Sequence, residues 1–168
     1  MKIYEAAYLA GIIDGEGSIM LTRMHKGENR RPSITISSSD MELLMYVQKI
    51  AGGRIYSKKN YQPNIHKDSY TLVIKKKDEV FRCLKETYPF LRITQKSKRA
   101  KWILDHYNSV TPRNGKYTEK MLIEKLQFED AFFKFWTIKK PPNLKFDGDG
   151  GTHYSILSKW YWLYLEPI

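Results

Sequence analysis

Cysteine is almost missing from this chain: Cys83 is the single thiol in 168 residues. One thiol closes no intrachain disulfide, and such scarcity suits a reducing compartment. With Val80, Phe81 and Leu84 beside it on a predicted helix, Cys83 reads as a small buried hydrophobe. Long apolar runs are lacking too. Nothing approaches the roughly 20 residues that span a bilayer, and the closing Trp160-Tyr161-Trp162-Leu163-Tyr164-Leu165 is too short, so no membrane partner is expected. No signal peptide is visible, which makes a cytoplasmic location the expectation. Acids are few: 18 Asp and Glu face 29 Lys and Arg, a net charge of +11. That excess points to a polyanionic partner. A content of 42% hydrophobic and 14% aromatic residues excludes disorder, and the length suffices for one respectable core.

What is present centres on Tyr8 to Ile19. Ile3 to Asp14 contains no proline and reads as a helix. Ala7, Gly11 and Gly15 recur at a spacing of four and share one face, so another backbone can approach closely there. Glycine inside a helix costs about 1 kcal/mol relative to alanine, which calls for a compensating contact. Asp14 and Glu16 bracket the expected C-terminus, and Gly15 and Gly17 suit its termination. Carboxylates oppose the helix dipole there by a few tenths to about 1 kcal/mol each. Arg23 is the nearest downstream base, so nothing local offsets this. A divalent cation would, and oxygen ligands here, a carboxylate and a glycine carbonyl, suit magnesium with retained waters. Asp14 taken alone reads as solvated at a turn.

After Gly17 the period switches from helical to alternating. Ser18, Met20, Thr22 and Met24 share one face, with Ile19, Leu21 and Arg23 on the other. A polar loop carries Lys26, Arg30 and Arg31, then Ser33, Thr35 and Ser37 point outward against Ile34 and Ile36 inward. Such a ribbon, polar outside and basic at its tip, suits a DNA major groove. Asp40 caps a helix through Ala51 with the apolar stripe Leu43, Leu44, Val47 and Ile50, ended by Gly52-Gly53. A second hairpin follows from Arg54 to Lys76. Arg54, Tyr56 and Lys58 share a face on its first strand, and Thr71, Val73 and Lys75 on its second. Bases interleaved with tyrosines suit phosphates and base edges. Helices are predicted over Asp78–Tyr88, stopped by Pro89, and from Gln95 to Tyr107. The latter opens with Lys96, Lys98, Arg99 and Lys101, bases that conflict with the dipole unless a phosphate lies nearby. Thr118 opens a last helix through Trp136, with Leu122, Leu126, Phe128, Phe132 and Phe135 as its apolar residues and Pro141-Pro142 beyond; Asp147 to Gly151 reads as a turn.

Leu9-Ala10-Gly11-Ile12-Ile13-Asp14-Gly15-Glu16-Gly17 resembles the signature of the LAGLIDADG homing endonucleases, with Glu16 where the second acid is usually aspartate. The order helix, hairpin, helix, hairpin, helix is similar to that family's αββαββα core. The resemblance implies an α+β fold with a curved antiparallel sheet, residues 1–109 forming the endonuclease core and 110–168 a C-terminal helical and aromatic extension packed on it. A single copy of the motif implies a homodimer, paired through Ala7, Gly11 and Gly15, on a roughly palindromic double-stranded DNA target. It implies Mg2+ as cofactor, about two or three divalent ions per dimer active site, with Ca2+ or Mn2+ able to substitute. Glu16 then carries catalysis and metal binding, with Gly15 as a second ligand. Lys96 falls at the family's active-site lysine when the segment Lys96-Ser97-Lys98-Arg99-Ala100 is anchored on Ala100, and Lys98 or Arg92 remain alternatives. Ser38 falls near a position where some members carry a water-binding glutamine.

The resemblance implies site-specific hydrolysis of both DNA strands across the minor groove, with 3′ overhangs, as in intron homing. The resemblance implies, as the alternative to a cytoplasmic location, the organelle or compartment of the intron's host. Met20, Thr22, Met24, Lys26, Arg30, Arg31, Ser33, Thr35, Ser37, Arg54, Tyr56, Lys58, Thr71, Lys75 and Lys98 are the expected DNA contacts. The rival readings are a catalytically silent DNA-binding or RNA-splicing (maturase) relative, and a basic RNA-binding accessory protein.

Overall fold

The structure is a computed structural model that describes residues 1–23, 25, 27–112 and 115–135. The expectations placed on Met24, Lys26, Trp136 and the segment 136–168 lie outside the described residues. The elements run α1 (Ile3–Glu16), β1 (Gly17–Thr22), β2 (Arg31–Ser38), α2 (Met41–Ala51), β3 (Arg54–Ser57), β4 (Tyr70–Ile74), α3 (Lys77–Thr87), a 3₁₀ turn (Tyr88–Phe90), α4 (Thr94–His106) and α5 (Glu119–Lys134). This is the αββαββα order, followed by two more helices.

The four strands form one antiparallel sheet in the order β1-β2-β4-β3. Pairing aligns Ile19 with Ile34 and Ile34 with Ile74, and it aligns Ile36 with Leu72 and Leu72 with Ile55. Because side chains alternate along a strand, that register puts Ile19, Leu21, Ile34, Ile36, Ile55, Leu72 and Ile74 on one face. Leu9, Ala10 and Ile13 of α1, Leu44 and Val47 of α2, and Val80, Cys83 and Leu84 of α3 cover that face and are fully buried. Each such Leu, Ile or Val contributes about 1.5–3 kcal/mol on leaving water.

Local signals set the helix ends. The Asp40 side chain accepts the Leu43 N–H at 3.2 Å, the N-cap expected for α2. Gly52 and Gly53 leave that helix at φ 87° and 93°, a left-handed conformation that favours glycine. The end of α1 works differently. Gly17 has φ −93°, an extended backbone, and a Cβ there would lie 2.6 Å from the Ile13 Cα. It is glycine for room, not for a left-handed turn, and Gly15 lies inside the helix.

Helix α5 buries only part of its apolar set. Lys125, Phe128, Glu129 and Phe132 face inward, while Leu122 and Leu126 are 39% and 55% exposed. The helical period fixes this, because 125, 128, 129 and 132 are related as i, i+3, i+4 and i+7. The two inward charges are each partnered. Lys125 Nζ donates to Thr111 Oγ1 at 3.1 Å and lies 4.1 Å from the Tyr107 ring centroid, while Glu129 receives Arg30. The Trp102 indole N–H donates to the Phe128 carbonyl and joins α5 to α4.

Candidate active site and nucleic-acid face

The C-terminal end of α1 gathers groups distant in sequence. Asp14 Oδ2 accepts the backbone N–H of Arg92 at 2.6 Å and that of Ile93 at 3.4 Å. Asp14 is thus held by the segment entering α4 and is not the solvated acid expected. Lys96, on the first turns of α4, donates its Nζ to the carbonyls of Ile13 (2.7 Å) and Asp14 (2.6 Å). An ammonium on the terminal carbonyls of a helix satisfies orphan acceptors and complements the dipole. The offset missing near Arg23 is therefore supplied from the far side of the chain. Burial pulls the Lys96 pKa below its ordinary value, opposed by the charges of Asp14 and Glu16 and reinforced by Arg99.

Glu16 is exposed, two residues beyond Asp14. Of the three candidates for the basic position, Lys96 reaches α1 through its side chain, Arg92 through its backbone only, and Lys98 is exposed. Ser38 accepts the Asp40 N–H at 2.9 Å and so forms part of the turn into α2. Among the described residues no three Asp, Glu, His or Cys side chains converge to hold a metal ion. The donor set here, one exposed carboxylate and the carbonyls of the last helical turn, is hard oxygen. It fits a divalent cation that completes its shell from outside this chain.

The outward side of α1 is bare. Ala7, Gly11 and Gly15 are exposed, and a Cβ at Gly11 or Gly15 would meet nothing within 4 Å. Ile3, Tyr4 and Tyr8 beside them are 73%, 60% and 52% exposed. With Leu9 and Ile13 buried on the opposite side, α1 is apolar all round, the pattern of a helix buried on both faces.

On the sheet, the face away from the helices collects the expected readers in rows. One row is Ser18, Thr35, Val73 and Arg54; the next is Ser37, Thr71 and Tyr56; Met20 pairs with Ser33, and Thr22 with Arg31. Ser37 and Thr71 hydroxyls bond at 3.0 Å. Arg54, Tyr56, Lys58 and Lys75 are exposed. Two residues depart from the expectation. Ser33 is 1% exposed, its hydroxyl bonded to that of Thr22 at 3.1 Å, which leaves it no surface for a base edge. Arg30 is turned toward α5, where its guanidinium lies 3.3 Å from Glu129.

A family model described as a LAGLIDADG-like domain matches residues 4–88, half of the chain. The chain belongs to the LAGLIDADG family. An intron-encoded DNA endonuclease, ai2b, from Dictyostelium discoideum is 26% identical over 107 residues, which are 64% of this chain and 40% of that protein. The chain thus spans well under half of that relative's length. The homing endonuclease I-CvuI, solved with its target and calcium, superposes with a TM-score of 0.63 at 22% identity, covering 84% of this chain and 88% of its own. The archaeal intron-encoded homing endonuclease I-Vdi141I, solved with DNA, gives 0.54 at 17% identity, covering 83% and 89%. At such identities the structural likeness establishes the fold.

The matched residues of this LAGLIDADG chain end before α4, so the placement of Lys96 rests on geometry. Two further residues were not among the expected site residues. Arg99, 4% exposed, donates to the Ile19 carbonyl at 3.4 Å and lies 5.3 Å from the Phe132 ring centroid, and burial lowers its pKa. A basic run at a helix start hides which of its members turns inward; the helical phase to Ala100 and Ile103 is the available signal. Ser18, the sheet-face neighbour of Thr35, was visible in the alternation of β1.

Proposed function

We propose that this chain is a site-specific double-strand DNA endonuclease of the intron-homing type, acting as a homodimer on a roughly palindromic duplex and leaving 3′ overhangs. The observation that carries this is the end of α1. An exposed Glu16 lies two residues past the Asp14 carbonyl that accepts the Lys96 ammonium at 2.6 Å, on a helix whose outward face is bare. Residues 1–109 serve as the core and 110–168 as the extension.

Two α1 helices meeting along Ala7, Gly11 and Gly15 bring their Glu16 carboxylates together near a two-fold axis. Paired carboxylates repel each other and the phosphates, so cations are needed between them. Glu16 and the Gly15 carbonyl would hold divalent metal, Mg2+ by preference, with about two or three ions expected per dimer active site. Bound there, such an ion lowers the pKa of water and offsets charge on the attacking and leaving oxygens. Lys96 keeps a fixed positive charge next to the phosphate, and its lowered pKa makes proton exchange with an attacking water more accessible. The Thr35, Thr71, Tyr56 and Arg54 face lies along the major groove, with Lys58 and Lys75 toward phosphates. The homing endonuclease I-CvuI on DNA, in the presence of calcium and of magnesium, supports the choice of ion class.

The test is a plasmid carrying the uninterrupted insertion site, incubated with and without magnesium. Magnesium-dependent linearisation is expected. Binding without cutting favours the silent or maturase relative, and preference for RNA over duplex favours the accessory protein. Glu16→Gln should abolish cutting while binding persists; equal loss of both would make Glu16 structural. Affinity should fall steeply with salt, and a flat response would refute a phosphate-led interface.

A further inference from the structure

The turn between β1 and β2 is the tip of the first DNA-facing hairpin, and it is fastened from behind by α5. Arg30 donates its backbone N–H to Glu129 Oε1 at 3.2 Å, its Nε lies 3.3 Å from Oε2, and its Cζ sits 4.6 Å from the Phe133 ring centroid. Glu129 is only 6% exposed. Both oxygens of an interior carboxylate therefore engage one residue of the turn. A buried ion pair adds little net stability over apolar packing of the same volume. Its distinctive effect is geometric, because a charge withdrawn from water tolerates few positions of its partner. Helix α5 is itself referenced to the catalytic end of the molecule. Gln95 Nε2 donates to the Phe135 carbonyl at 2.8 Å, one residue before Lys96, and Trp102 donates to Phe128.

We propose that Glu129 is a positioning residue for DNA recognition: through Arg30 it locks the β1–β2 turn onto α5 and so sets where the first hairpin meets the bases. The inference rests on the endonuclease reading above and goes beyond it. Helix α5 lies outside the matched residues 4–88, so this part of the specificity rests on a helix beyond the family match. The exposed Arg31 then points outward from a fixed base, while Arg30 is structural.

The test begins with duplexes selected by the wild-type chain from a random pool. Base pairs read by the first hairpin are those whose discrimination changes in Arg31→Ala, and those read by the second change in Tyr56→Ala. Glu129→Ala should lower discrimination at the first set about tenfold, the scale of one mismatched base pair, and leave the second set unchanged. Glu129→Gln, which keeps an acceptor for the Arg30 N–H, should recover part of the loss. Hydrogen exchange at the Arg30 amide should be fast in Glu129→Ala and slowed again in Glu129→Gln. If Glu129→Ala does not fold, Arg30→Met probes the same contact from the loop side and should give the same pattern. Unchanged discrimination in a folded variant, or equal loss at both hairpins, overturns the proposal. A wild type that selects no duplex overturns the endonuclease reading and, with it, the recognition role of Glu129, whereas the Glu129–Arg30 contact is judged separately. In that case a protected Arg30 amide assigns the failure to the reading, and an unprotected one to the contact.

Discussion

Replacing Gly11 separates the stability of one chain from its pairing, because the two should respond with opposite signs. Within a single chain a Cβ at Gly11 meets nothing within 4 Å, and the residue lies inside α1. Gly11→Ala therefore removes a helix-interior glycine with no packing cost. The expected gain is about 0.8–1 kcal/mol, or roughly 2–4 °C in melting temperature for a chain of this size. Gly11→Leu should keep most of that gain, since leucine is nearly as good a helix former. Across a two-fold axis the same carbons push two backbones apart along Ala7, Gly11 and Gly15. Overpacking of a close interface costs about 1–3 kcal/mol, and a symmetric contact meets the added side chain from both copies. Gly11→Leu should weaken dimerisation at least about 100-fold and abolish cutting with it. Sedimentation velocity and thermal melts over a range of protein concentration read both effects. The wild-type melting temperature should rise with concentration, as mass action requires of a dimer, and that of Gly11→Leu should be higher at dilution but flat. A Gly11→Leu chain that pairs and cuts like wild type would remove this face from the interface. A Gly11→Ala chain destabilised at dilution would show that the position is already in contact within one chain.

Lys96→Met removes an ammonium from two terminal carbonyls of α1. It should cost about 1–2 kcal/mol of stability and slow single-turnover cutting by about 100-fold with little change in DNA affinity, whereas Lys98→Met should cut normally; loss in both variants would leave the assignment of Lys96 without support. Burial pulls the Lys125 pKa down to about 8, opposed by the charge of Glu129. The unfolded chain keeps that proton up to its ordinary value of 10.5, so between pH 8 and about 9.5 the unfolded state binds more protons and stability should rise with pH. The upper limit over the full window is about 3 kcal/mol, and Tyr107, whose pKa is raised, opposes the rise at higher pH. Urea melts of wild type against Lys125→Met should show this slope in the former only, and parallel profiles would refute it. Burial also pushes the Cys83 thiol up to about 12, so iodoacetamide at pH 8 should alkylate it only in denaturant, as read by mass spectrometry; rapid labelling of the native chain would contradict the packing.

The small-faced helix, the two alternating hairpins, the Asp40 cap and the Gly52-Gly53 exit follow from short-range rules, and each depends on residues within a few positions of one another. That is why Ala7, Gly11 and Gly15, and the face carrying Thr35, Thr71 and Tyr56, were legible without coordinates. The same rules could name Lys96, Lys98 and Arg92 as candidates but not rank them, because the basis for ranking is which nitrogen reaches the end of α1. Asp14 looked like an uncompensated acid for the same reason. Its partner amide belongs to Arg92, 78 positions later, and Lys96 reaches carbonyls 83 and 82 positions before it. On α5, large apolar residues occur on several sides, and polarity alone does not show that Phe128 and Phe132 face inward while Leu122 and Leu126 do not. Lys125 and Glu129 face inward because Thr111, Tyr107 and Arg30 wait there to satisfy them. The sequence by itself determined which segments fold and what charge and chemistry the chain carries; only the tertiary structure decided which charged side chains lie buried and what each one meets. Periodicity is a local property of a helix or strand, whereas compensation of a buried charge is made by whatever the rest of the chain brings to it.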